Sequence, residues 1–225
     1  MPTIYASTTD NDMNSGTATS WALSRGATTG DLGGANDVSE TFAVGANMFS
    51  GRGATTYRVY RSFYEFDTSS ITQTLSSATL KIYFDNDFGS SNVIVIKSDA
   101  FGGGSLASDD FNNVDFSTAY SAEVDTTSTG VASITLNATA LADIKDNDDF
   151  IFALVNYDYD YSNTAPTTAQ NYVAVHFADT STTSNKPQID YTVAGYSNDV
   201  ISVAASNVGK VNGVATASIE KVIGV

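Results

Sequence analysis

Oxygen-bearing and aromatic side chains are the residues of this chain whose spacing suits chemistry. In Asp10-Asn11-Asp12-Met13-Asn14-Ser15-Gly16, the residues Asp10, Asp12 and Asn14 fall at alternate positions. Asp158 and Asp160 repeat that spacing in Asp158-Tyr159-Asp160-Tyr161-Ser162-Asn163. Calcium, a hard cation, takes oxygen ligands from carboxylates, amides and backbone carbonyls, so both stretches are candidates for it. The first lacks glycine at its sixth place and glutamate at its twelfth, so it is not an EF-hand. A polar turn rich in Asp and Asn is the competing reading of both. The aromatic candidates are Trp21, the single tryptophan, and Tyr157, Tyr159 and Tyr161. The three tyrosines alternate, so an extended backbone would put them on one face. Exposed rings there would form a stacking platform for a glycan; burial of the same rings in a core is the alternative.

Little else suggests a reaction. His176 is the single histidine and stands in an apolar strand pattern, so it supplies neither a multi-histidine metal site nor, without a Gly-x-Ser-x-Gly elbow, a recognisable triad. Carboxylate pairs are too numerous to single out a glycosidase acid and nucleophile. Phe101-Gly102-Gly103-Gly104-Ser105 lacks the lysine and helix of a phosphate loop. The absence of cysteine removes disulfides and thiolate chemistry. The expectation is a non-catalytic part.

Charge narrows the partners. With 25 acidic against 10 basic residues the formal net charge is −15, which repels phosphate backbones and anionic membranes. No nucleic acid and no membrane insertion are expected. No apolar run reaches the length of a membrane span, and no basic segment followed by an apolar run follows Met1. Yet the composition, rich in Ser, Thr, Asn, Asp and Gly, is that of a surface outside a cell. Removal of a signal, another export route, or release of a virion component by host lysis would each reconcile the two.

The elements that must hold these residues are strands. Thr56–Phe66 is rich in β-branched and aromatic residues on both faces and reads as a central strand, with Tyr57, Val59, Arg61, Phe63 and Glu65 on one side. Asp67-Thr68-Ser69-Ser70-Ile71 reads as a turn closed by its own side chains. Further strands are expected at 78–84, with Leu80, Ile82 and Phe84 inward, and at 93–97, 133–137, 150–155, 172–177 and 188–193; weaker ones fall at 3–6 and 41–44. One short helix is expected at 138–144, N-capped by Asn137. Short strands joined by Gly, Asn, Asp and Ser turns make an all-β sandwich over residues 1–193.

Residues 194–225 form a different segment. After Ala194-Gly195, an eleven-residue repeat runs from Val203 to Gly213 and again from Val214 to Gly224. Val, Ala, Lys, Val and Gly recur in register, with Val208 matched by Ile219. Each unit would be a helical turn closed by glycine, followed by an extended step. Two units are too few to hold a core alone, so the tail would dock on its own sandwich or on a partner through Val203, Val208, Val211, Val214, Ile219 and Val222.

Two stretches carry a resemblance. Arg61-Ser62-Phe63-Tyr64-Glu65-Phe66-Asp67-Thr68-Ser69-Ser70-Ile71 with Leu75-Ser76-Ser77-Ala78-Thr79-Leu80, and then 133–141, 157–166, Tyr172-Val173 and Pro187, resemble in order the DNRLRE-type domain family, akin to family 96 carbohydrate-binding modules. That resemblance covers 1–193. It implies a jelly-roll-type antiparallel β-sandwich used in attachment or display, and a structural pairing of Arg61 with an acidic neighbour, Asp67 or Glu65. The Lys-Val-Asn-Gly-Val and Lys-Val-Ile-Gly-Val endings of the tail resemble C-terminal segments of phage virion proteins. The resulting expectation is a phage virion surface protein, a capsid decoration or a head or tail fibre component. Its partners would be a capsid, tail or fibre protein or copies of itself, with cell-surface glycan as a further ligand. A secreted carbohydrate-binding module and a self-assembling filament subunit are the alternatives.

Overall fold

The computed structural model describes residues 1–33, 39–51, 53–89, 92–102, 104–195, 210–211 and 214–215. The strands are β1 (Thr3–Tyr5), β2 (Asn11–Asn14), β3 (Asp31–Leu32), β4 (Ser39–Ser50), β5 (Thr55–Asp67), β6 (Leu75–Phe88), β7 (Val93–Ser98), β8 (Val114–Ala119), β9 (Gly130–Thr135), β10 (Asp149–Asn156), β11 (Tyr172–His176), β12 (Gln188–Val193), β13 (Lys210–Val211) and β14 (Val214–Ala215). Two α-helices join them, α1 (Trp21–Arg25) and α2 (Ala138–Asp146).

All pairings are antiparallel, and they resolve into two layers. One layer runs through β1, β12, β6 and β11, with β9 also on β6. The other runs through β5, β10, β7 and β8, with β2 and β3 attached to β5. The long strand β4 belongs to both: its first half pairs with β11 and its second half with β5. The change of layer falls at Gly45, which faces both Tyr172 and Tyr60. Only glycine fits there, since a Cβ would lie 2.5 Å from the Asn171 carbonyl oxygen and from Tyr172 Cβ. Corners of this kind, where one strand switches sheets, close a sandwich.

The main core lies between the layers. Leu80, Ile82 and Phe84 of β6 meet Tyr64 and Phe66 of β5 and Phe150, Phe152 and Leu154 of β10, all fully or almost fully buried. Tyr64 stacks on Phe152 and on Phe177 at 5.1 and 5.6 Å between centroids. A second core covers the outer face of the β5 layer, where Val59, Phe63, Ile94, Ile96, Ala153 and Val155 pack under Met13, Phe101, Leu106 and Phe111. Both faces of β5 are therefore dry, in accord with its aromatic content on each side.

Local signals explain most boundaries. Asn137 caps α2 by accepting the Ala140 amide at 3.1 Å, and Ser20 caps α1 by accepting that of Leu23 at 3.3 Å. The turn after β5 is closed by Asp67, whose Oδ1 accepts from the Ser69 amide and hydroxyl, and these bonds hold its carboxyl below the usual range. In the tail, Lys210–Val211 and Val214–Ala215 form an antiparallel pair with Val211 opposite Val214. Lys210–Val211 is extended where a glycine-closed helical turn is expected, and Val214–Ala215 is extended at the place of the expected extended step. Val203, Val208, Ile219 and Val222 lie outside the described residues.

Candidate functional site

Arg61 leaves β5 on its outer face and is fully buried. A buried guanidinium must be paired and hydrogen-bonded or its desolvation is prohibitive. Here Nε donates to Asp160 Oδ2 at 2.8 Å and Nη2 to Asp160 Oδ1 at 3.1 Å, a bidentate fork. Nη1 donates to the Phe111 carbonyl at 2.7 Å, and Nη2 also donates to the Arg25 carbonyl at 2.9 Å. The Phe111 ring lies 4.3 Å and the Phe116 ring 5.2 Å from the guanidinium carbon. Arg25 extends the stack, 4.2 Å over Phe116, and its Nε donates to the Asp160 carbonyl at 2.7 Å. Burial lowers the Arg25 pKa; Asp160 opposes that shift and Arg61 adds to it.

Four segments thus converge on one side chain. β5 supplies Arg61, and the end of α1 supplies Arg25. A 3-10 turn, Ser108–Asn112, supplies Phe111; it is fixed by Asp110, whose Oδ2 accepts the Ala107 amide at 2.9 Å. The segment after β10 supplies Asp160 from a single π-helical turn, Tyr157–Tyr161. Asn156 caps that turn by accepting the Tyr159 amide at 2.8 Å, and the Ser162 amide reaches back to the Tyr157 carbonyl at 3.2 Å. Asn163 ends it at a φ of 55°, a left-handed conformation that Asn tolerates. The pairing of Arg61 with Asp67 or Glu65 does not occur. Asp67 serves its own turn, Glu65 accepts from the Thr9 hydroxyl at 3.0 Å, and the partner comes from a different strand connection.

The same π turn decides the fate of the aromatic candidates. Tyr157, Tyr159 and Tyr161 do not alternate along an extended backbone. Tyr157 and Tyr161, four residues apart, instead stack at 5.6 Å, and Phe116 adjoins Tyr161 at 6.5 Å. Trp21, the first residue of α1, meets Tyr57 edge-on at 6.2 Å and donates its Nε1–H to Asn163 Oδ1 at 3.2 Å. Trp21, Tyr157 and Tyr161 are half-buried, one side against the outer core. Tyr159 is half-buried on the same turn. The turn that supplies Asp160 to this ionic knot thus also bears Tyr157, Tyr159 and Tyr161, with Trp21 tied to its end through Asn163, and together they make an aromatic rim beside the knot.

The oxygen-bearing candidates are dispersed. Asp160 is committed to Arg61. Asp158 Oδ2 accepts the Asn92 amide at 3.0 Å. Asn11–Asn14 is a strand, paired with β5, not a loop wrapped around a cation. Asn14 Oδ1 accepts the Gly16 amide at 3.1 Å. Asp10 and Asp12 are buried near Tyr64, and both oxygens of Asp10 lie within reach of the Ala178 amide, at 3.2 and 3.0 Å. Burial pushes the Asp10 carboxyl up to about 8, against the Ala178 donor and Lys186. Among the described residues no group of three or more His, Asp or Glu is arranged to hold a metal ion. His176 lies against the Tyr83 ring at 4.5 Å and 3.9 Å from Asp85, with its pKa lowered by burial.

Neither a protein-family model nor a curated protein sequence matches the chain. Among the described residues no helix is long and apolar enough to cross a membrane.

Proposed function

We propose that this chain is a non-catalytic attachment module displayed on a phage virion surface. In this reading residues 1–193 face outward and engage cell-surface glycan, while 194–225 dock on a capsid, tail or fibre protein or on copies of the chain. The observation that carries it is the set of half-buried rings Tyr157, Tyr159 and Tyr161 on the turn that supplies Asp160 to Arg61, with Trp21 bonded to Asn163 at the end of that turn. Sugar rings bind through their apolar faces to aromatic side chains, and pre-organised rings lose little entropy on binding. Tyr157 and Tyr161 brace one another, and Tyr161 adjoins the Phe116 ring that Arg25 covers, so these half-buried rings are pre-organised in this sense. The net charge of −15 favours uncharged glycan over anionic polymers. Weak contacts of each copy would add through repetition on a virion lattice.

A glycan array probed with the full chain tests the binding half of this reading. Retained signal on at least one glycan is expected, with loss in Trp21→Ala and Tyr159→Ala. Binding unaffected by both substitutions would place the ligand elsewhere and overturn the assignment of the rim.

A further inference from the structure

A cleft of about 620 Å³ opens on the face of the β4–β5 hairpin away from the Tyr57–Trp21 contact. Asn47, Phe49, Thr168, Gln170, Tyr172 and Gly89 line it. Asn47 and Phe49 alternate with Met48, which stands opposite Tyr57 in the β4–β5 ladder. Side chains alternate across a strand, so this cleft and the Tyr57–Trp21 contact lie on opposite faces of one hairpin.

The floor of the cleft is built, not incidental. Asn47 is 2% exposed, and its Oδ1 accepts the Asn171 amide at 3.0 Å, which leaves its Nδ2 group as a donor. Asn171 Nδ2 donates to the Ala46 carbonyl at 3.1 Å and the Thr168 carbonyl at 2.9 Å, and Thr168 Oγ1 donates to Asn171 Oδ1 at 2.7 Å. These bonds sew 168–171 onto β4. Gly89 forms a wall at φ 91°, where a Cβ would lie 2.1 Å from the Gln170 carbonyl oxygen. Tyr172 is braced by Phe88 at 4.7 Å, while Phe49 at the mouth is 42% exposed.

The chemistry of the lining selects the ligand. Asn47 Nδ2 and the Gln170 carboxamide can donate, the Gln170 carbonyl and the Thr168 hydroxyl oxygen can accept, and Phe49 offers an apolar face above the buried Tyr172 ring. None of the described lining residues is charged, in a chain with 25 acidic side chains. The volume falls within the range of small-molecule sites, of roughly 300–1,000 Å³. We infer that this cleft is a saccharide-binding site that takes an uncharged pyranose unit, with Asn47, Thr168 and Gln170 bonding ring hydroxyls and Phe49 stacking on its apolar face above a floor that includes Tyr172. It is independent of the aromatic rim and stands whether or not that rim binds glycan.

Isothermal titration calorimetry of the full chain with maltohexaose, cellohexaose, xylohexaose, mannohexaose and N-acetylglucosamine hexamer tests it. Phe49→Ala and Gln170→Ala change exposed side chains outside both cores, so they leave the fold intact. At least one oligosaccharide is expected to bind, and each substitution is expected to weaken it about tenfold, the scale of one lost ring contact for Phe49 and one lost hydrogen bond for Gln170. Amide resonances of Gly89, Gln170 and Tyr172 are expected to shift on titration. Binding lost in Trp21→Ala but unchanged in Phe49→Ala and Gln170→Ala would support the rim and overturn this site. The converse pattern would support this site alone. Absence of heat and of resonance shifts with every oligosaccharide would overturn it.

Discussion

Arg61 and Asp160 show how one buried ion pair organises a surface. Their side chains meet across 99 residues of sequence, and each is fully enclosed. Removing one partner strands a charge in a dry site, and Asp160→Ala is expected to cost about 3–5 kcal/mol of stability by urea denaturation. The paired change Arg61→Met with Asp160→Leu is expected to recover most of that loss, since no charge is then stranded. Arg61→Lys would not substitute, because an ammonium cannot span a carboxylate and two carbonyls in one plane. Asp10 behaves differently. Its folded carboxyl is raised to about 8 from an ordinary value of 3.8, so between those values the folded state holds a proton that the unfolded state has lost. Stability therefore falls as pH rises from about 4 to about 8 through this group. Asp10→Asn, which cannot ionise, is expected to flatten that slope and to raise the melting temperature at pH 8 relative to the parent chain. An unchanged pH profile would show that the Asp10 carboxyl is not the group responsible.

At the scale of elements, the strands legible in the sequence are those with strong alternation or dense β-branched and aromatic content. Thr55–Asp67, Leu75–Phe88 and Asp149–Asn156 are of this kind, and so is the Asn137 cap. Asn11–Asn14 escaped because three of its four residues are Asn or Asp, which read as a turn; Met13 alone anchors it in the outer core. Trp21–Arg25 is only five residues long, too short for a periodic pattern, although Ser20 is a good cap. Ser20→Ala and Asn137→Ala are each expected to cost about 1 kcal/mol. The knot itself was legible only as far as Arg61. Nothing local to Asp160 marks it as the partner, because the pairing depends on how the turn after β10 folds across β5. The π turn likewise follows from that partnership: one extra residue in the turn swings Asp160 inward and sets Tyr161 over Tyr157. Periodicity of two therefore gave the wrong face for these tyrosines, while the Trp21–Asn163 bond that ties α1 to the end of their turn was out of reach of any local pattern.

For the whole molecule, one strand ties the two layers together. β4 joins the β11 ladder to the β5 ladder through Gly45, and any larger residue there must push the Asn171 carbonyl aside. Gly45→Val is accordingly expected to lower the melting temperature more than Gly53→Val, whose Cβ would meet open space. The tail poses a separate question of assembly. Light scattering on the full chain and on a form ending at Val193, where β12 stops, is expected to give an oligomer for the first and a folded monomer for the second. Loss of folding in the shorter form would make the tail a part of the sandwich.

The exit of the chain from β12 also fixes how the module would bear tension. β12 lies between β1 and β6, with Thr3 opposite Asp190 and Ile189 opposite Leu80, and Lys81 bridges to Asp190 at 2.6 Å. A pull along the tail would load both flanking ladders lengthwise, so their bonds must rupture together and not one after another. A module tethered through residues 194–225 and held at its far end would resist hydrodynamic drag in this shearing mode, with the N-terminal strand serving as a clasp beside the point of attachment.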